Sequence, residues 1–238
     1  MVQVVFDGAL LDAPRILRVR FRKIGALQYI SHLDLVRTMT RVMVRAHLPI
    51  RYTSGFHPIP HLVFSAPLPV GAQSPREFVD VEVLREVNPA DVIEALNNGL
   101  PDELRVDAVY YPSTKLRDVA SAVYEIAIHA ENATKELADT CHAALQARPI
   151  MVFKRTKAGE RDVDISQAIL GASAVYQEKE GDILLSIHLR AEGGSFLNPD
   201  YIVQYIREKT GILSHTLAQE WYTVIRSHLY DREGRDFS

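Results

Sequence analysis

The chain of 238 residues carries a single cysteine, Cys141. That excludes an internal disulfide, and it excludes an iron–sulfur cluster ligated by this chain alone, which needs several thiolates. No run of eighteen apolar residues occurs, so no membrane span is expected. The opening MVQVVFDGALLDAPR lacks the basic start, long apolar stretch and small-residue cleavage site of a secretory leader. A reducing compartment, the cytoplasm, is the expected setting. What is present is ordinary for a folded protein: 47% of residues are hydrophobic and 24% charged. The length suits one large domain or two of common size.

Acidic residues are also scarce in one place. From Arg15 to His61 there are nine basic residues and one acid, Asp34, a local charge of +8 inside a chain whose net charge is −3. A concentrated positive field of this kind attracts polyanions even when the protein as a whole is acidic. Counter-charges supplied by the rest of the fold are the alternative.

Periodicity places the elements. After a loose lead-in ending at Pro14, RILRVRFRK alternates Ile16, Val19 and Phe21 with Arg18, Arg20 and Arg22, slipping near Leu17. This predicts a half-buried strand with a cationic outer face. Ser31 stands three residues before Asp34, as a helix cap does. In the helical pattern that follows, Leu35, Met39, Val42 and Met43 share one face. Arg37, Arg41 and Arg45 recur every fourth residue as an outer stripe. Strands are expected at Leu62–Ala66, in REFVDVEVL and in LRVDAVYYP, with a helix from Asn88-Pro89 to Gly99. The order strand, helix, strand, strand, helix, strand is the split βαβ, or ferredoxin-like, arrangement. After a polar linker the second half repeats it. A helix covers TKELADTCHAALQA and another covers YIVQYIREK. Strands are expected in IMVFKR and around Asp164–Ile169, Ala174–Gln177 and Ile183–Arg190, with a last one in LAQEWYTVIRSHLY. The expected class is therefore α+β. Two tandem ferredoxin-like domains span residues 15–112 and 122–230, with a linker at 113–121 and at least one added strand in the second domain.

The segment ISHLDLVRTMTRVMVRAHLPIRYTSGFHPIPHLVFSAPLPVG resembles the bacterial radical-SAM-associated family of unassigned function. SHLDL, the basic helix, LPI and the proline-studded SGFHPIP loop occur there in order. FKRTKAGERDVDI and the Asn198-Pro199 helix start extend the resemblance into the second half. The family's domain is found fused to, or encoded beside, a cobalamin-type radical SAM protein, often near ribosome and RNA-processing genes. The resemblance implies a radical SAM partner and supplies no activity of its own.

Four groups of residues are candidate sites. Arg18, Arg20, Arg22 and Lys23 on the strand, with Arg37, Arg41 and Arg45 on the helix, present forks and point charges suited to phosphates. An acidic protein partner would suit them equally. The loop Tyr52–His61, with Arg51 before it, combines Gly55, Pro58 and Pro60 with Tyr52, Phe56, His57 and His61. It either displays flat rings to nucleobases or acts as a buttress with Phe56 in the core. In the second half Lys154, Arg155, Lys157 and Arg161 surround a glycine turn. They form either a charged hairpin tip or a grip on RNA or a partner. His32, His57 and Asp164 are the candidates for acid–base chemistry. His57 and His61 are four apart, but Pro58 and Pro60 forbid the helix that would align them on a metal. No metal or cofactor is expected. Gly193-Gly194 before Asn198-Pro199 is read as an ordinary cap, and Cys141 as packed mid-helix. The sequence thus points to an accessory protein that binds RNA or a ribonucleoprotein for a radical SAM enzyme. A metal-independent RNA-processing enzyme and a pure protein adaptor are the alternatives.

Overall fold

The inner face of the first strand is Leu17, Val19 and Phe21, all fully buried, and these three residues set the first core. A computed structural model describes residues 4–156, 159–191, 196–215 and 219–238. It divides into two units, residues 1–119 with Ser238, and residues 120–237.

In the first unit β1 (Leu10–Lys23) lies between β4 (Val106–Tyr110) and β3 (Ala72–Arg85), and β2 (Leu62–Phe64) pairs with β3. All these pairings are antiparallel, with Leu17 opposite Val81, and Val19 opposite both Val79 and Val109. Helices α1 (His32–Arg45) and α2 (Pro89–Asn97) close the core with Leu35, Met39, Val42 and Met43 from one and Val92 and Leu96 from the other. Asn88 caps α2 by accepting from the Ala90 amide, and Pro89 takes the first turn, where no amide hydrogen is missed.

The second unit lays β10 (Glu220–Asp231), β5 (Val119–Ala130), β9 (Asp182–Arg190) and β8 (Ile169–Gln177) side by side. Tyr124, Ile126 and Ile128 are buried, as are Leu185 and Ile187 opposite them, and α3 (Lys135–Gln146) packs against β8 and α4 (Asp200–Thr210). Cys141 is buried in α3, and burial pushes its thiol pKa up. Gly211 takes the left-handed conformation that ends α4, φ 75°. The strands β6 (Met151–Thr156) and β7 (Gly159–Asp164) form a separate hairpin. The protein is thus a mixed α+β chain of mostly antiparallel strands with four α-helices among the described residues.

Several expectations are corrected. The lead-in before Pro14 is already strand from Leu10, and Ile16, not Leu17, is the residue out of phase: Ile16 is exposed while Leu17 is buried. The strand expected at Asp164–Ile169 lies earlier, at Gly159–Asp164, because Ser166–Ala168 is a 3₁₀ turn. The linker carries local structure of its own. Leu116 is buried, Leu116–Asp118 is a 3₁₀ turn, and Thr114 is bonded to Arg18.

The cationic outer face of β1 is corrected most. Arg18 is fully buried on that outer side. Its Nε and Nη2 reach both oxygens of Asp80 at 2.7 and 2.9 Å, and its Nη1 donates to the Thr114 hydroxyl at 2.7 Å and to the Ser238 carbonyl at 3.0 Å. Removing one partner of such a pair strands a charge away from water. Asp80→Ala is therefore expected to cost about 3–5 kcal/mol. Asp107→Ala, which removes a solvent-accessible ion pair from the half-buried Arg20, is expected to cost under ~1 kcal/mol. Urea unfolding of the two variants measures both, and equal losses would contradict the burial argument.

Candidate nucleic-acid interface

Ser31 caps α1 by accepting from the Asp34 amide, as its spacing predicts. The inner face then buries Leu35, Met39, Val42 and Met43, which turns Arg37, Arg41 and Arg45 outward, all exposed. Arg37 spends part of its charge on Asp34 at 3.2 Å. Arg41 and Arg45 form no hydrogen bond or ion pair among the described residues.

The strand contributes far less than its sequence suggests. Arg18 is paired inside the fold. Lys23 is 1% exposed, its ammonium donating to the Gln28 carbonyl at 3.0 Å and the Ala72 carbonyl at 3.4 Å. Arg20 meets Asp107 at 2.9 Å, and the Arg22 guanidinium donates to the Asp102 carbonyl at 2.8 Å. Arg51 meets Glu82 at 2.7 Å. Asp80, Asp107 and Glu82 all lie outside the basic segment, so the fold itself offsets much of the local charge. Expected surface residues Arg18 and Lys23 are thereby removed from the interface. On β3, Asp80 and Glu82 alternate with Val81 and Val83 in the same rhythm as the arginines of β1.

The loop after α1 is built to project. Arg51 donates its amide to the Glu82 carbonyl, and the Leu84 amide donates to Pro49, which fixes the foot of the loop on β3. Above the foot, Thr53 donates its amide to the Ile59 carbonyl at 2.9 Å, His61 donates to the Arg51 carbonyl at 3.1 Å, and Tyr52 bridges Pro60. Gly55 turns the tip at φ 133°, a conformation that favours glycine. At this tip Phe56 is fully exposed. Tyr52 is 44% exposed, and His57 and His61 are exposed as well. The buttress alternative, with Phe56 in the core, is thereby excluded.

Two of the acid–base candidates are engaged by their own surroundings. The His32 ring packs edge-on against Phe64 with centroids 5.4 Å apart, and burial lowers its pKa against the opposing pull of Glu77. Asp164 is committed to a turn: its carboxylate accepts from the Ser166 hydroxyl, the Ser166 amide and the Ile150 amide. The hydroxyl bond, first among these, holds its pKa below the usual carboxylate range. On the neighbouring hairpin Arg155 pairs with Glu160 at 2.7 Å and Arg161 is exposed. Lys154 lies 4.6 Å over the Tyr201 ring, where desolvation lowers its pKa and Arg161 adds to the shift. Lys157 and Gly193-Gly194 lie outside the described residues; the Asn198 side chain accepts from the Asp200 amide at the start of α4. Among the described residues no group of three His, Cys, Asp or Glu can hold a metal, and no helix is long and apolar enough to cross a membrane.

Sequence reasoning missed one feature. A cleft of about 260 Å³ in the first unit is lined by β1, β2 and β3 on one side and by Lys115, Leu116 and Arg117 on the other. The lone apolar Leu116 within a polar run was the available clue.

A family model described as "Uncharacterized protein conserved in bacteria (DUF2344)" matches residues 16–199. No curated protein matches. One similar solved structure is that of an unknown protein from Galdieria sulphuraria, 11% identical, covering 89% of this chain and 98% of that one, with a TM-score of 0.26. Another is DyPB from Rhodococcus jostii RHA1, 12% identical, covering 91% of this chain and 94% of that one, with a TM-score of 0.21. Scores this low carry no argument about fold or function.

A carboxyl whose folded pKa is depressed contributes stability above its unfolded value, about 4, and loses it as pH falls through the lowered folded value. The Asp164 carboxyl resonance is therefore expected to titrate below the ordinary range. Asp164→Asn should remove that part of the acid-side loss of stability; an ordinary titration midpoint would contradict the turn assignment.

Proposed function

The chain belongs to the uncharacterized bacterial family DUF2344, and we propose that it is an accessory protein that binds RNA or a ribonucleoprotein through the first unit. The observation that carries this reading is Phe56, fully exposed at the tip of a loop whose base is fixed by backbone hydrogen bonds. A large apolar ring held in water has no folding benefit to explain it, and single-stranded RNA is bound by stacking splayed bases on such rings. Tyr52 and His57 add rings to the same loop, and Arg41 and Arg45 keep charge available for a sugar–phosphate backbone.

The radical SAM partner rests on the resemblance of the SHLDL-to-PLPVG segment alone, and a cytoplasmic setting rests on the single buried cysteine. Both remain part of the proposal. So does the tandem ferredoxin-like plan. It is supported by the strand order β4-β1-β3-β2 in the first unit and β10-β5-β9-β8 in the second, which is the same order with the β6–β7 hairpin inserted. The enzyme alternative would rest on His57, exposed on the loop, since Asp164 is held by its own turn and the His32 ring packs on Phe64.

Phe56→Ala is expected to weaken binding of a single-stranded oligoribonucleotide by about 1–3 kcal/mol. Arg41→Ala with Arg45→Ala should lower the salt slope of binding by about 0.7 per charge removed. Fluorescence anisotropy at two salt concentrations reads both. If Phe56→Ala is silent while the arginine pair abolishes binding, the surface is an electrostatic dock and not a base-stacking one.

A further inference from the structure

We propose that the cleft beside the loop takes one nucleotide of the bound strand and selects a base bearing an exocyclic amino group. This rests on the RNA-binding reading and names the chemistry of recognition within it.

The volume comes first. About 260 Å³ lies just under the roughly 300–1,000 Å³ of sites that enclose a whole drug-sized ligand. It offers room for one base with part of its sugar, not for two stacked nucleotides. The walls are apolar where a ring would lie: Ile16 and Val63 are exposed side chains of β1 and β2, and Leu116 comes from the 3₁₀ turn. His61 also lines the cleft, so the cleft begins where the projecting loop ends.

Its polar groups are sorted by what they already bond. Asp80 lines the cleft, but both of its oxygens are taken by Arg18, so it has no recognition role. Glu82 is different. Its Oε2 accepts from Arg51 at 2.7 Å, which fixes the carboxylate, while Oε1 is 4.0 Å from His61 Nδ1, beyond hydrogen-bond reach. That oxygen is a pure acceptor beside an apolar slot. It suits the amino group of cytosine, adenine or guanine, and it opposes the carbonyl oxygens that uracil presents instead. Lys115 and Arg117 line the same cleft, and their side chains have no partner among the described residues. They supply the point charge and the planar fork that a phosphate takes.

Cytosine and uracil oligomers separate the possibilities, because the two bases differ at this edge and have similar rings. With the intact chain, an eight-nucleotide oligo-C is expected to bind about tenfold more tightly than oligo-U, the size of one base-edge contact. Glu82→Gln should bring the two within about twofold. Val63→Trp, a filler at an exposed position, should lower oligo-C to the oligo-U level without lowering the melting temperature. Equal binding of both oligomers by the unaltered chain, with both lost in Phe56→Ala, would sink the cleft proposal and leave the RNA reading standing. A cytosine preference that survives both cleft variants would sink it too. Binding of neither oligomer overturns the RNA reading and the cleft proposal together.

Discussion

A guanidinium taken out of water must be paid back in full by its neighbours, and in the first unit that requirement falls on Arg18. The residue sits at the centre of β1 with no exposed surface, and Asp80 on β3 answers it with both carboxylate oxygens. Because Arg18 stands opposite Asp80 in the strand register, the pair is satisfied in that register and lost on slipping by one residue. Buried ion pairs of this kind contribute little net stability against an apolar substitute. Here the pair also recruits Thr114, through its hydroxyl and its carbonyl, and so draws the segment around Leu116 over the outer side of the sheet. The cleft exists because that segment is held there.

The local patterns in the sequence were readable where local physics decides. The α1 cap at Ser31, its buried face and its arginine stripe follow from spacing alone, and so does the proline start of α2. Arg18 and Lys23 were not legible, because their fate depends on groups far along the chain: Asp80 is sixty-two residues from Arg18. Alternation separates inside from outside, yet it cannot tell a solvated outer arginine from one covered by a later segment. Ile16 and Leu17 show the same weakness at finer grain, since two adjacent apolar residues leave the phase of a strand undetermined until a partner is known. Phe56 was ambiguous for a related reason. Glycine and proline announce a stiff loop, but whether its aromatic points into the core depends on the direction in which β3 anchors the loop's foot.

These corrections change the character of the proposed interface. The basic segment suggested a broad electrostatic surface, but Asp80, Asp107 and Glu82 offset much of it, leaving Arg41 and Arg45 as the charges on α1 without a partner among the described residues. What remains is a displayed ring on a braced loop, with a small apolar cleft close to its end. Such a surface favours contacts that depend on base shape and stacking over contacts that depend on charge alone, and it gives a stronger account of selectivity than of raw affinity.

Photo-crosslinking tests this account most directly. A 4-thiouridine-containing single-stranded RNA would be irradiated with the intact chain and the attached peptides identified by mass spectrometry. The account predicts attachment within residues 51–61, centred on Phe56 and Tyr52, with weaker attachment along α1. Attachment confined to the β6–β7 hairpin of the second unit, or none at RNA concentrations that saturate binding, would contradict it.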